Sequence, residues 1–203
     1  MLLMKKRDFI IEELMSEDFI EYFSKKVNLE EQEESGKTMV EVFSENDTLL
    51  VIKNVDKKKT ELYFFRTQKL LSMYKRVDHI IFEKKGDDKW VLHLIEMKSS
   101  VSADKWSEIK GKFRASYLLA QGIAAMLDIE ICETVLYTTY DKVGFMHSET
   151  MPVARRIGTG RRPFKAEWES GWAELNFGTM LKLRHKAIKV NKEGMCLCGK
   201  ITL

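Results

Sequence analysis

The sequence predicts a single α/β domain over residues 1–203, with a mixed central β-sheet flanked by helices. Three observations predict it. Short runs rich in β-branched and aromatic residues recur between turn signals, as strands do. One long stretch, from Ser102 to Leu127, instead places apolar residues at steps of three and four. The order of segments is helix, strands, long helix, strand. A chain of 203 residues with 44% hydrophobic content can bury one proper core, and 2 Pro with 11 Gly exclude collagen-like and generally disordered chains.

Taken in order, residues 7–27 carry Phe9, Ile10, Leu14, Phe19, Ile20 and Phe23 among acids, which predicts an amphipathic helix. The acidic stretch 28–37 ends in Ser-Gly and reads as an exposed loop. Thr48–Ile52 and Glu61–Phe65 read as strands around a turn at Asp56–Lys59, and Val77–Phe82 and Trp90–Met97 as a hairpin around Gly86-Asp87. Trp106, Ile109, Phe113, Tyr117, Ala120, Ala124 and Leu127 then define a helix of about six turns, with Ser102 or Asp104 as N-cap. Thr134–Tyr140 is a further strand. Residues 151–172 contain two Pro and three Gly and read as a long loop, followed by a basic strand or short helix over Met180–Val190.

No apolar run approaches the roughly 18–20 residues of a membrane helix. The opening Met1–Arg7 puts its charges behind a three-residue apolar stub, unlike a secretory signal. Three cysteines, Cys132, Cys196 and Cys198, make no disulfide framework. The expectation is a soluble, cytoplasmic protein with no membrane partner. Net charge is only +3, but residues 1–66 carry −4, residues 67–150 balance, and residues 151–203 carry +7. A polyanion would be met by the C-terminal quarter.

The segment that carries chemistry is Val77-Asp78 followed by Leu94-Ile-Glu96-Met-Lys98. Alternation along a strand puts Leu92, Leu94, Glu96 and Lys98 on one face. Antiparallel pairing through the hairpin would bring Asp78, at the head of one strand, beside Glu96 and Lys98 at the end of the next. Two carboxylates against an apolar wall are costly unless compensated, and a divalent cation is a natural compensation. The same Glu-x-Lys letters at Glu83–Lys85 and Glu108–Lys110 fall beside a turn and on a helix, where they read as solvated surface. The alternative for Glu96–Lys98 is a cross-strand salt bridge at a sheet edge. His79 and His93 should point to the opposite face and read as structural.

Asp78, an apolar strand, a turn, a second apolar strand ending in Glu96-x-Lys98, a long helix and another strand resemble the PD-(D/E)xK nuclease superfamily, with its restriction-endonuclease-like fold. The resemblance covers a core motif region over residues 60–140, with the 7–27 helix in the place of that fold's first helix. Val77 stands where the superfamily's name has Pro. One branch of the superfamily carries a Gln and then a Tyr on the following helix; Gln121 fits, and Ala125 occupies the later position. The resemblance implies a Mg²⁺- or Mn²⁺-dependent nuclease acting on nucleic acid, DNA favoured over RNA. Asp78, Glu96 and the backbone carbonyl of Met97 would hold the metal, and Lys98 would orient the attacking water or stabilise transition-state charge. It also implies a Glu from the first helix, among Glu12, Glu13, Glu17 and Glu21.

On the long helix, Lys110, Arg114 and Gln121 share one flank and Lys105, Lys112 and Ser116 the other, and the spacing does not say which flank faces the site. Lys112, Arg114 and Gln121 are the candidates to support it. Arg155, Arg156, Arg161, Arg162 and Lys165 form an acid-free loop with Phe164 and Trp168, suited to gripping a nucleic-acid strand. Lys182, Arg184, His185, Lys186 and Lys189 extend that basic character within residues 151–203. The alternative from a different class is a non-catalytic nucleic-acid-binding or protein-interaction module on the same fold.

Overall fold

The strict inside–outside alternation of a strand decides how this chain is layered, because nearly every strand residue near the middle of the sheet is apolar. The computed structural model describes residues 6–16, 18–33, 36–56, 72–86, 89–145, 164–194 and 196–203. In order they form helix α1 (Lys6–Glu13), strands β1 (Ile20–Phe23), β2 (Lys26–Glu33), β3 (Gly36–Phe43), β4 (Leu49–Ile52), β5 (His79–Lys84), β6 (Lys89–Glu96) and β7 (Ser100–Ser102), helix α2 (Ala103–Met126), strands β8 (Glu130–Tyr140) and β9 (Lys142–Gly144), helix α3 (Phe164–Glu169), and strands β10 (Trp172–Asn176), β11 (Met180–Lys189), β12 (Asn191–Glu193) and β13 (Cys196–Thr202).

Seven strands make one sheet in the order β1-β4-β5-β6-β8-β11-β10. The β6–β8 and β8–β11 pairs are parallel and the others antiparallel, so the sheet is mixed. The chain leaves β6, runs along α2 and returns as β8, parallel to β6, the connection a parallel pair requires. One face presents Ile80, Phe82, Leu92, Leu94 and Leu136, which pack against Trp106, Ile109 and Phe113 of α2. The opposite face presents Val51, Ile81, Val91, Ile95 and Val135, which pack against Val40 and Val42 of β3 and their neighbours in β2 and β13. Each such fully buried large side chain contributes roughly 1.5–3 kcal/mol.

The mixed α/β character and large mixed sheet agree with the sequence reading, but the flanking differs. Among the described residues the helices pack against the first cluster only; the second face is covered by a four-stranded sheet, β12-β13-β3-β2. The acidic stretch expected as a loop supplies part of that cover. In β2, Val27 and Leu29 point inward and Asn28 and Glu30 outward, an alternation the dense acids obscure. Residues 34–35 lie outside the described ones.

The helix expected over 7–27 is also shorter. α1 ends at Glu13, and from Ile20 the chain pairs with β4 as an edge strand, Ile20 opposite Ile52. Lys25 at φ 57 then turns the chain into β2. The apolar spacing of Phe19, Ile20 and Phe23 serves a strand here because the sheet offers a partner (tertiary pairing overrides a weak periodicity). Within the loop expected over 151–172, residues from Phe164 form α3, and Met180–Lys189 is strand rather than helix. The hairpin turn at 56–59 and the strand at 61–65 fall largely outside the described residues.

α2 begins as expected. Ser102 is its N-cap, accepting a hydrogen bond from the Lys105 backbone N–H at 3.3 Å, and the helix closes with Leu127 N–H donating to Ile123 O. No helix among the described residues is long and apolar enough to cross a membrane.

Candidate functional site

The β5–β6 register places the acids. His79 pairs with Ile95 and Ile80 with Leu94, so the next position outward sets Asp78 opposite Glu96. The ends of both strands are pinned from several sides. Val77 N–H donates to Ser116 Oγ of α2 at 2.9 Å, and Met97 N–H donates to Asp78 Oδ2 at 2.6 Å. Lys98 N–H donates to Thr139 Oγ1 of β8 at 3.0 Å, and that hydroxyl lies 3.3 Å from Lys98 O. The backbone that carries Glu96 and Lys98 is thereby fixed between β5 and β8.

Two lysines complete the cluster. Lys98 Nζ lies 3.0 Å from Glu96 Oε1 and donates to Met97 O at 3.1 Å. Lys112 Nζ, from α2, lies 2.6 Å from the same Oε1 and 3.8 Å from Asp78 Oδ1. Glu96 is fully buried, and its second oxygen, Oε2, has no hydrogen-bond partner among the described residues. The lysines keep about a fifth of their side chains exposed, so the cluster meets solvent through them. Burial, and after it the Asp78 charge, push Glu96 up to about 7, although Lys112 and Lys98 pull the other way. A fully buried carboxylate on a central strand is not a salt bridge at a sheet edge.

The donor set suits a hard divalent cation. The Lys112 ammonium already lies between the two carboxylates, 2.6 Å from one and 3.8 Å from the other, where a cation shared by both would also sit. Among the described residues no group of three or more His, Cys, Asp or Glu gathers as a metal site, so any ion would rely on two carboxylates, a backbone carbonyl and water. Mg²⁺ tolerates this, since it usually keeps several waters.

The other sequence candidates divide. Lys112 joins the cluster, whereas Arg114 and Gln121 lie about 180–200° around α2 from it and belong to the other side of the helix. That other flank is occupied differently: Lys110 pairs with buried Glu167 at 2.7 Å. Glu12 and Glu13 are exposed on α1, whose Arg7 sits over the Trp90 ring at the far end of β6 from Glu96. Glu21 pairs with Lys53 at 3.0 Å. None of these three joins the site, and Glu17 lies outside the described residues. Lys165 is exposed on α3, while Arg155, Arg156, Arg161 and Arg162 lie outside the described residues.

His185 is not part of the basic surface. It is buried against Trp106, Trp168 and Phe113, donor or acceptor to Thr138 Oγ1 at 3.0 Å, and burial drives its pKa down to about 3. Lys182 and Arg184 are exposed, and with Trp172 and Lys186 they line a cleft of about 680 Å³ on the sheet face opposite Glu96. Lys182 Nζ stands 5.0 Å over the Trp172 ring.

His93 does face away from Glu96, as expected, and bridges Tyr137 OH at 3.2 Å and Glu83 at 3.1 Å. Glu83 itself, expected at the solvated surface, is buried. Burial alone would raise its pKa, but hydrogen bonds from His93, Ser44 and Asn46 outweigh that and hold it at about 2. Glu108 is exposed and pairs with Lys75, as its helix position suggests.

Comparison with protein-family models, curated proteins and solved structures finds no match to this chain.

Proposed function

We propose that the protein is a divalent-metal-dependent nuclease that hydrolyses phosphodiester bonds, DNA favoured over RNA, with Asp78, Glu96 and Lys98 at its centre. One observation carries the reading: Asp78 and Glu96 meet at the ends of paired strands, share one ammonium, and leave a buried carboxylate oxygen without a partner among the described residues. The order β5, turn, β6, α2, β8 supports it, since it is the order on which the resemblance to PD-(D/E)xK nucleases rests.

Asp78, Glu96 and Met97 O would hold the ion, and Mg²⁺ or Mn²⁺ bound there would supply a polarised phosphate and a water acidified for attack. The chain's own groups do the rest. Asp78, by accepting from Met97 N–H, fixes the peptide just before the Met97 carbonyl that is offered as a ligand. Thr139 holds the Lys98 backbone, so that its ammonium stays beside Glu96 and can orient the water or balance charge on the phosphate.

A second reading is favoured by one observation. Lys112 already neutralises Glu96 and no third acid among the described residues joins, which suits a nucleic-acid-binding module that does not cleave. Purified protein incubated with single- and double-stranded DNA and RNA in Mg²⁺, Mn²⁺, Ca²⁺ or EDTA separates the two. The nuclease reading expects cleavage in Mg²⁺ and Mn²⁺ only, with Ca²⁺ supporting binding. Tight binding without cleavage in any metal gives the case to the binding module, and neither binding nor cleavage removes both.

The basic C-terminal quarter sets the expected grip. Affinity for nucleic acid should fall steeply with salt, and replacing Arg155, Arg156, Arg161 and Arg162 together by Ala should flatten that slope by roughly 0.7–0.9 for each phosphate left without its arginine. An unchanged slope returns these arginines to ordinary surface.

A further inference from the structure

We propose that Lys112 is the built-in counter-ion of the Asp78–Glu96 pair, and that nucleic acid, by drawing its ammonium away, raises the affinity of the pair for a divalent cation. The proposal rests on the reading of Asp78 and Glu96 as a cation site. Its ground is a competition for one position. Lys112 Nζ sits 2.6 Å from Glu96 Oε1 and 3.8 Å from Asp78 Oδ1, and an ion bound to both carboxylates would meet that ammonium at close quarters. Like charges so placed, beside a buried carboxylate, repel strongly because little water screens them. One of the two has to leave.

Lys112 is the cation able to leave. It hangs from α2 on a flexible four-carbon stem, and its side chain is already 18% exposed, so a rotamer change carries the ammonium into water. Lys98 contacts the same Oε1, but its backbone is tied to Thr139 and its ammonium also donates to Met97 O, so it remains when Lys112 goes. α2 itself need not move: Ser116, one turn along, stays bound to Val77 N–H. A phosphodiester lying across the solvent side of the cluster offers the displaced ammonium a new partner. Linkage then makes the effect reciprocal: what nucleic acid gains from Lys112 on cation entry, the cation gains from nucleic acid. In the metal-free protein the same lysine spares the buried pair the cost of uncompensated charge.

The test is Ca²⁺ affinity by titration calorimetry at pH 8, with and without saturating DNA oligonucleotide, after subtracting Ca²⁺ binding to the DNA alone. For the wild type, DNA should tighten Ca²⁺ binding about tenfold. Lys112→Met should bind Ca²⁺ at least about tenfold more tightly without DNA and gain nothing further from it. Lys112→Arg should restore the wild-type pattern, and Lys112→Gln replaces Lys112→Met if thermal melting shows that variant unfolded. Equal Ca²⁺ affinity in wild type and Lys112→Met, with Glu96→Gln abolishing binding, overturns the counter-ion role and leaves the cation site standing. Ca²⁺ binding that is absent, or indifferent to Glu96→Gln, overturns the cation site and the proposal with it.

Discussion

Glu96→Ala and Lys98→Ala should each reduce nucleic-acid cleavage at least about a hundredfold, the usual scale for losing one electrostatic or acid–base contributor. Glu96→Ala removes a carboxylate that no neighbour can replace, since no third acid among the described residues stands by. Lys98→Ala removes the ammonium fixed beside Glu96 Oε1 and Met97 O. Asp78→Asn should lose a comparable factor, because an amide is a far poorer ligand for a hard cation even if its oxygen still accepts from Met97 N–H. Binding of nucleic acid is expected to survive in all three, since the proposed grip falls to Arg155, Arg156, Arg161 and Arg162, outside the cluster. Initial rates of the three variants beside wild type, in Mg²⁺ and in Mn²⁺, decide the matter. Undiminished cleavage in every variant would place the chemistry elsewhere.

The same carboxylate should make the metal-free protein less stable as pH rises. Glu96 titrates near 7 in the fold and near 4.5 when unfolded, so between those values the native state binds the extra proton. Stability therefore falls through that window, by about 3 kcal/mol over its full width. Buried His185, held near 3, works with the opposite sign below its unfolded value of 6.5, and this is why the difference between two proteins is the quantity to follow. In EDTA, Glu96→Gln should match wild type most nearly around pH 4.5 and be the more stable by up to about 3 kcal/mol at pH 8. Denaturant unfolding of both proteins at each pH gives that difference directly. A difference that does not change with pH would mean that Glu96 is not held protonated by its surroundings. The expected trade, stability given up for a charged site, is common where a cluster serves function rather than folding.

The pairing of Asp78 with Glu96 was legible because a strand's period is two and the hairpin fixes the register; both follow from Val77–Phe82, Gly86 and Trp90–Met97 alone. α2 was legible to within two residues of its start, since Ser102, one of the two N-cap candidates, and the Trp106–Ile109–Phe113 stripe are local signals. Which flank of α2 meets the site was not. Lys112 and Arg114 stand symmetrically about Phe113, and only the crossing of helix and sheet selects Lys112. Glu83 and His185 misled for a related reason. Their burial comes from partners remote in sequence, Ser44 and His93 for the one, Trp106 and Trp168 for the other, and no local pattern announces them. The second sheet hid in acids: Val27, Leu29, Val40 and Val42 alternate correctly, but the charges between them resemble a solvated loop.

Crystals soaked in Mn²⁺ and measured at the manganese absorption edge show whether Asp78 and Glu96 share a cation. An anomalous peak is expected between the carboxylates of Asp78 and Glu96, with Lys112 Nζ turned away from Glu96 Oε1 towards solvent. An empty cluster at saturating Mn²⁺, with Lys112 still bridging both acids, would mean that the pair is no cation site.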